Sequence, residues 1–318
     1  MSELDPLASA SFTAELGQVA DWRLVLVFDA ARSAGVLDAL PAEPAEIAER
    51  LALSHQGVRA VLDLLAEAGV VRATAGRFER GERAPDAPAA ARLAQQAAAI
   101  RRWAAAVEPG LRGEEAPKRI RSPERIRDWL ASMAIDAEVQ APLVADRLEA
   151  AAGDLRGLRA LDLGGGHGRY GVELAHRGAT VVLQDRAEVL AVVRDAGWLD
   201  ATGVETFPRD AHETLAAGPF DVVLAIGLLH TMPPGRVSTL LVRLAAVIRP
   251  GGHLLVRTRL RGDGARAAVF AVQMLAAGTG GDAHALDDYR RWLDDAGFGP
   301  PAVERLDGSA LLIARRSG

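Results

Sequence analysis

Cysteine is absent from the 318-residue chain, which removes disulfides, thiolate–zinc sites, iron–sulfur clusters and cysteine nucleophiles at once. Lysine is almost absent too: Lys118 stands alone among 37 basic residues, so positive charge is nearly all arginine. No run reaches the roughly 18 consecutive apolar residues of a membrane-spanning helix. The opening residues MSELDPLASASFTAEL have neither a basic n-region nor an apolar h-region. No secretory leader is therefore expected, and the cytoplasm is the expected location. A net charge of -5 gives no general attraction for nucleic acid or an anionic membrane. Apolar residues make up 49% of the chain, enough for about two ordinary domains at this length.

Residues 1–20 are small and polar and read as a loosely held arm. Apolar residues then recur at helical spacing from Trp22 to Leu40, before Pro41 and Pro44 punctuate the chain. Two short helices are expected over 44–52 and 55–68, the second opened by Ser54 as N-cap. Val70–Arg72 and Arg77–Glu79, joined by a turn at Gly76, complete the outline of a winged helix. Its charges do not suit DNA. Six arginines between Glu43 and Arg83 face seven acids, and the second helix opens with a single cation, Arg59. Packing or dimerisation is the better reading. Further helices are expected over 89–105 and 129–148, separated by a polar stretch containing Lys118, Arg119 and Arg121.

After Gly157 the texture changes. Apolar runs at 159–163, 180–184, 221–226 and 253–256 alternate with helical stretches at 168–177, 187–196 and 235–248, the pattern of a parallel, doubly wound α/β sheet. Its strongest local signal is Leu161-Asp162-Leu163-Gly164-Gly165-Gly166-His167-Gly168, a strand running through glycines into a helix. Gly166, Gly168 and Gly171 formally satisfy the dinucleotide fingerprint, which would make the protein an NAD-linked oxidoreductase. Asp162 argues otherwise. A carboxylate there suits a ligand with a cationic amino-acid end, such as S-adenosylmethionine, and is unwelcome beside a pyrophosphate. Asp185 closes the second strand and suits ribose hydroxyls. Asp210, followed by Ala211, stands where an adenine amino group would be received.

With these residues in place, residues 20–318 resemble the small-molecule O-methyltransferase family of the caffeate and hydroxyindole type, which includes many antibiotic-tailoring enzymes of secondary metabolism. The resemblance rests on the winged-helix module, LDLGGGHG at 161–168, Asp185, Asp210, Leu229-His230, Arg249-Pro250-Gly251-Gly252, and Gly280-Gly281…Tyr289…Ala296-Gly297-Phe298. It implies a winged-helix dimerisation domain over 1–100, a helical linker and acceptor-pocket region over 101–153, and a Rossmann-like S-adenosylmethionine domain over 154–318. It implies that Asp162, Gly164, Gly166, Gly168, Asp185, Asp210 and Ala211 hold the cofactor. His230 is then the catalytic base, and Met133 and Met274 belong to the acceptor pocket. A homodimer acting on a small-molecule acceptor is expected.

Two departures complicate the role of His230. Thr231 replaces an aspartate that often follows the histidine. Arg257 stands near the place of the glutamate that usually orients it. An arginine accepts no hydrogen bond and depresses a nearby imidazole. An alternative is a metal-dependent C-methyltransferase of a 2-oxo acid. There His230 and His284 would hold a divalent or iron-type metal and Arg112 would bind the carboxylate. The non-enzyme alternative is a ligand-sensing winged-helix regulator, against which the charges of residues 43–83 weigh. His167 and His212 read as local structure.

Overall fold

The computed structural model describes residues 22–114, 122–306 and 308–318. Contacts divide them into two compact units, one running to Arg101 and the other from Arg102 to Gly318. The predicted arm at 1–20 and the cations Lys118, Arg119 and Arg121 lie outside the described residues.

In the first unit, α1 (Trp22–Ser33), α2 (Pro44–Leu51) and α3 (His55–Glu67) precede an antiparallel hairpin of β1 (Val71–Thr74) and β2 (Arg77–Arg80). Local chemistry sets the starts. The Glu43 N–H donates to the Glu46 side chain at 2.9 Å in a capping box, with Pro44 in the first helical position. Ser54 caps α3 by accepting from Gly57 N at 3.2 Å. Phe28, Ile47, Leu62, Leu65, Val71 and Phe78 form the core. The helix expected over 22–40 ends at Ser33. Gly35 adopts φ +78°, and the remaining residues continue as turns that still bury Val36 and Ala39.

The division between the units falls within α4 (Ala87–Leu111). The second unit continues with α5 (Pro123–Ala152) and then alternates strand and helix: β3 (Arg159–Leu163), α6 (Arg169–His176), β4 (Thr180–Asp185), α7 (Ala187–Asp195), β5 (Glu205–Pro208) and β6 (Phe220–Ile226). A one-turn 3-10 helix (Leu229–Thr231), α8 (Pro234–Val247), β7 (Ile248–Thr258), α9 (Ala265–Ala277), α10 (Leu286–Asp295), β8 (Ala302–Leu306) and β9 (Ser309–Arg315) complete it. The seven strands are ordered β5-β4-β3-β6-β7-β9-β8. The first five are parallel, whereas β9 pairs antiparallel with both β7 and β8.

The parallel, doubly wound sheet expected over 159–256 forms, and β8 and β9 extend it into a mixed sheet. The terminal hairpin supplies the difference, because a tight turn can join only antiparallel neighbours. Apolar clusters cover both faces. Phe220, Leu241 and Tyr289 lie in one, and Leu148, Leu174 and Val181 in the other. The chain leaves β3 for β4 and β5 and returns on its other side as β6. The carboxyl ends of β3, β4 and β6 thus border the reversal point, where open α/β sheets take their ligands. Among the described residues no helix is long and apolar enough to cross a membrane.

Candidate active site

The glycine loop leaves β3 with Gly164, Gly166 and Gly168 at φ +65°, +50° and +76°, conformations that a Cβ would strain. Gly165 is required for another reason. A Cβ there would lie 2.4 Å from the Asp162 carboxyl group and 2.4 Å from Leu183. The loop is tied to β4 on its far side: Gly164 N donates to Gln184 O at 2.7 Å, and Gly166 N to the Asp185 carboxylate at 3.0 Å. His167 Nδ1 accepts from Arg169 N at 3.1 Å, and burial pushes its pKa down to about 4.

Asp162 lies beneath this loop, 1% exposed. Its Oδ2 accepts from Gly171 N, in the first turn of α6, at 3.0 Å, while Oδ1 has no hydrogen-bond partner among the described residues. Burial above all pushes its pKa up to about 7, with the Gly171 bond opposing and Asp185 adding to the rise. Asp162 thus braces the loop from below. Asp185 accepts from Gly166 N and, at 2.7 Å, from Arg186 N, and burial raises its pKa. Asp210 Oδ1 accepts from His212 N at 2.8 Å in a tight side-chain turn, and Ala211 O accepts from Arg243 at 2.8 Å.

His230 sits in the 3-10 turn just past β6, on the same sheet edge. A Cβ on Gly164 would lie 2.9 Å from Leu228, so the glycine loop abuts this turn. The imidazole stands edge-on to Phe270, with ring centroids 4.6 Å apart, and its Nδ1 is 3.4 Å from Thr258 Oγ1. Tyr289 OH donates to that same hydroxyl at 3.3 Å. Among the described residues no carboxylate bonds to the ring. Burial first, then Arg259, His284 and Arg257, push the His230 pKa down to about 3. Arg257, which the sequence sets near the usual place of the orienting glutamate, contributes to that shift without bonding to the ring. Alternation along β7 turns its guanidinium to Tyr170 OH at 3.0 Å and Ser309 Oγ at 2.9 Å, and it is Thr258 that faces His230.

His284 is buried, and its Nε2 lies 3.0 Å from Met232 O. Its ring stands edge-on to Trp292 at 5.1 Å. No group of three or more His, Asp or Glu residues converges as a metal site among the described residues. The paired-histidine reading therefore lacks a third ligand, and a ring nitrogen of His284 is already committed to a backbone carbonyl. The loop before it packs against the His230 turn. Asp282 N donates to His230 O at 3.0 Å, and a Cβ on Gly281 would lie 2.2 Å from that carbonyl.

Met274 is buried with Phe270 and Ala283, which brings it toward His230. Met133 is 39% exposed. Arg112, just past the end of α4, is exposed and pairs with Glu108 at 2.7 Å. A cleft of about 400 Å³ at the amino ends of the strands, lined in part by Asp221, Arg249, His253 and Arg315, contains none of the predicted residues. Sequence reasoning missed Gln184 and Thr258, and named Tyr289 only within a motif.

A profile of the methyltransferase domain matches residues 135–300, more than half of the chain. The chain belongs to the methyltransferase-domain family. Among curated relatives, this methyltransferase-domain protein is similar to a tRNA U34 carboxymethyltransferase of Methylococcus capsulatus, 38% identical over 135 residues, which cover 39% of each chain. The chain therefore matches well under two thirds of that relative's length. Among solved structures, human N-acetylserotonin methyltransferase in complex with SAM superposes with a TM-score of 0.71 at 18% identity, covering 100% of this chain and 99% of the other. The mitomycin 7-O-methyltransferase MmcR superposes at 0.73 with 23% identity, covering 99% and 100%. At these identities the likeness is one of fold.

Proposed function

We propose that this methyltransferase-domain protein transfers a methyl group from S-adenosylmethionine to a small-molecule acceptor, most simply to oxygen. The observation that carries the reading is the joining of three loops at one sheet edge: the glycine loop bonded to Gln184 and Asp185, the Asp210 loop beside it, and the His230 turn against Gly164. The residues fit the cofactor. The glycines keep the loop free of side chains where a ligand backbone would lie. Asp185 and Asp210 each retain lone pairs for ribose hydroxyls and the adenine amine. When bound, the cofactor supplies an electrophilic methyl group on a sulfonium centre. Full-length likeness to structures named as small-molecule methyltransferases supports such an acceptor over RNA, in keeping with a tailoring role in secondary metabolism.

The chain's own contribution is alignment and a place for the proton. An imidazole with a pKa near 3 cannot hold the proton of a resting phenol, whose pKa is about 10. His230 takes that proton only as the forming O–C bond acidifies the hydroxyl. Calorimetry with S-adenosylmethionine, S-adenosylhomocysteine and NAD tests the cofactor. Saturable binding of the first two is expected, and binding of NAD alone overturns the reading.

The protein is further proposed to be a cytoplasmic homodimer joined through its first unit. There Trp22, Leu53 and Leu64 are 58%, 37% and 41% exposed, apolar surface that dimerisation would cover. Light scattering at micromolar concentration should give twice the chain mass; a strict monomer contradicts it.

A further inference from the structure

The segment between β5 and β6 carries Asp210 without helix or strand to hold it, and two side chains take over that task. Gln184, the penultimate residue of β4, is fully buried. Its Nε2 donates to Arg209 O at 3.2 Å and to Thr214 O at 2.7 Å, and its Oε1 accepts from Ala216 N at 2.9 Å. Both amide protons and an acceptor lone pair are thus spent on the loop backbone, on either side of Asp210. Arg243 of α8 donates to the carbonyls of Ala211 and His212 at 2.8 Å each and to that of Glu213 at 3.4 Å. The backbone carbonyl of Gln184 also accepts from Gly164 N at 2.7 Å. One residue therefore ties the Asp210 loop to the glycine loop.

We infer that Gln184, together with Arg243, is a positioning residue for nucleobase recognition. By fixing the loop on the sheet edge, the pair presents the Asp210 carboxylate to the exocyclic amine of an adenine. This rests on the cofactor reading above. The chemistry calls for a neutral amide. A glutamate would set a carboxylate against two carbonyl oxygens, and an apolar side chain of equal length would leave two loop carbonyls and the buried Ala216 N–H without this partner. A loop ordered before binding spares the ligand the entropy of ordering it.

The test compares S-adenosylhomocysteine with S-inosylhomocysteine, in which the 6-amino group is replaced by oxygen. Calorimetry is run on the wild type, Gln184→Met and Arg243→Met, with ligand-free thermal unfolding as the check on folding. The wild type should prefer the amino form by about tenfold or more, because a site built around an amine leaves its acceptor unpaired with the analogue. Both variants should weaken the amino form and bring that preference toward unity, with the weaker ligand little changed. A loss shared equally by the two ligands, preserving the preference, overturns the inference, as does unchanged affinity. If Gln184→Met fails to fold, Arg243→Met decides alone on the same criterion. A wild type that binds neither ligand removes the cofactor reading. One that binds both equally leaves that reading standing and overturns this one.

Discussion

The His230 imidazole has an aromatic edge, a hydroxyl and two arginines around it where a general base would want a carboxylate. An efficient base has a pKa near the working pH, and one pushed to about 3 contributes little while the acceptor's proton is still weakly acidic. His230→Ala should therefore lower kcat by roughly 10–100-fold, at or below the low end of the ~10²–10⁴ typical of base catalysis. Affinity for S-adenosylhomocysteine should not change, since the residues assigned to the cofactor lie on other loops. Calorimetry and steady-state kinetics check both halves. A loss near 10⁴-fold, with a rate limb at pH 6–7 that vanishes in the variant, would restore the near-neutral base. At this scale the sequence singled out His230 and the unusual Arg257, but not Thr258, the β7 residue whose hydroxyl meets the ring.

Among the elements, strands with long apolar runs were legible, and so was the glycine loop that follows β3. The hairpin of β8 and β9 was not. AVERL carries two charges and reads as surface, and SALLIAR, buried along nearly its whole length, has no period to separate strand from helix. Gln184 was hidden for a related reason: a polar residue at the end of an apolar run suggests a strand leaving the core, whereas here its side chain is fully buried and spent on the backbone of the loop that follows β5. Gly280-Gly281 was legible as a motif without its cause. The cause is close approach, since a Cβ on Gly281 would stand 2.2 Å from the His230 carbonyl and 2.7 Å from the Thr231 backbone. Gly281→Ala should push the 279–284 loop off the 3-10 turn and break the bond from Asp282 N to His230 O. The expected cost is ~1–3 kcal/mol of stability, typical of overpacking, and a fall in kcat larger than that in S-adenosylhomocysteine affinity. Urea unfolding and the same kinetic pair check it, and an alanine variant with wild-type kcat would show that the contact does not position His230.

For the molecule as a whole, the buried titratable groups set how stability follows pH. His230 and His167 fall from 6.5 to about 3 and about 4, so between pH 4.5 and 6.5 the unfolded chain binds two protons that the folded chain refuses. Their contribution to stability is complete above 6.5 and is lost as pH falls. Asp162 works oppositely. Raised from 3.8 to about 7, it keeps a proton in the folded chain that the unfolded chain has released, so its contribution is lost as pH rises through 7. His253, lowered, and Asp185, raised, oppose each other in sign. Two protons against one leave the histidines in command on the acid side, with a slope of ~1.4 kcal/mol per pH unit for the net proton. Ligand-free stability should thus rise with pH from 4.5 to about 7 and level off above it, as urea unfolding across pH 4.5–8.5 would record. Asp162→Asn tests the opposing proton. It removes that proton, so the acid slope should steepen toward twice its wild-type value. An acid slope left unchanged by this substitution would mean that Asp162 is already ionised in the folded chain, its charge held by Gly171 N and the start of α6.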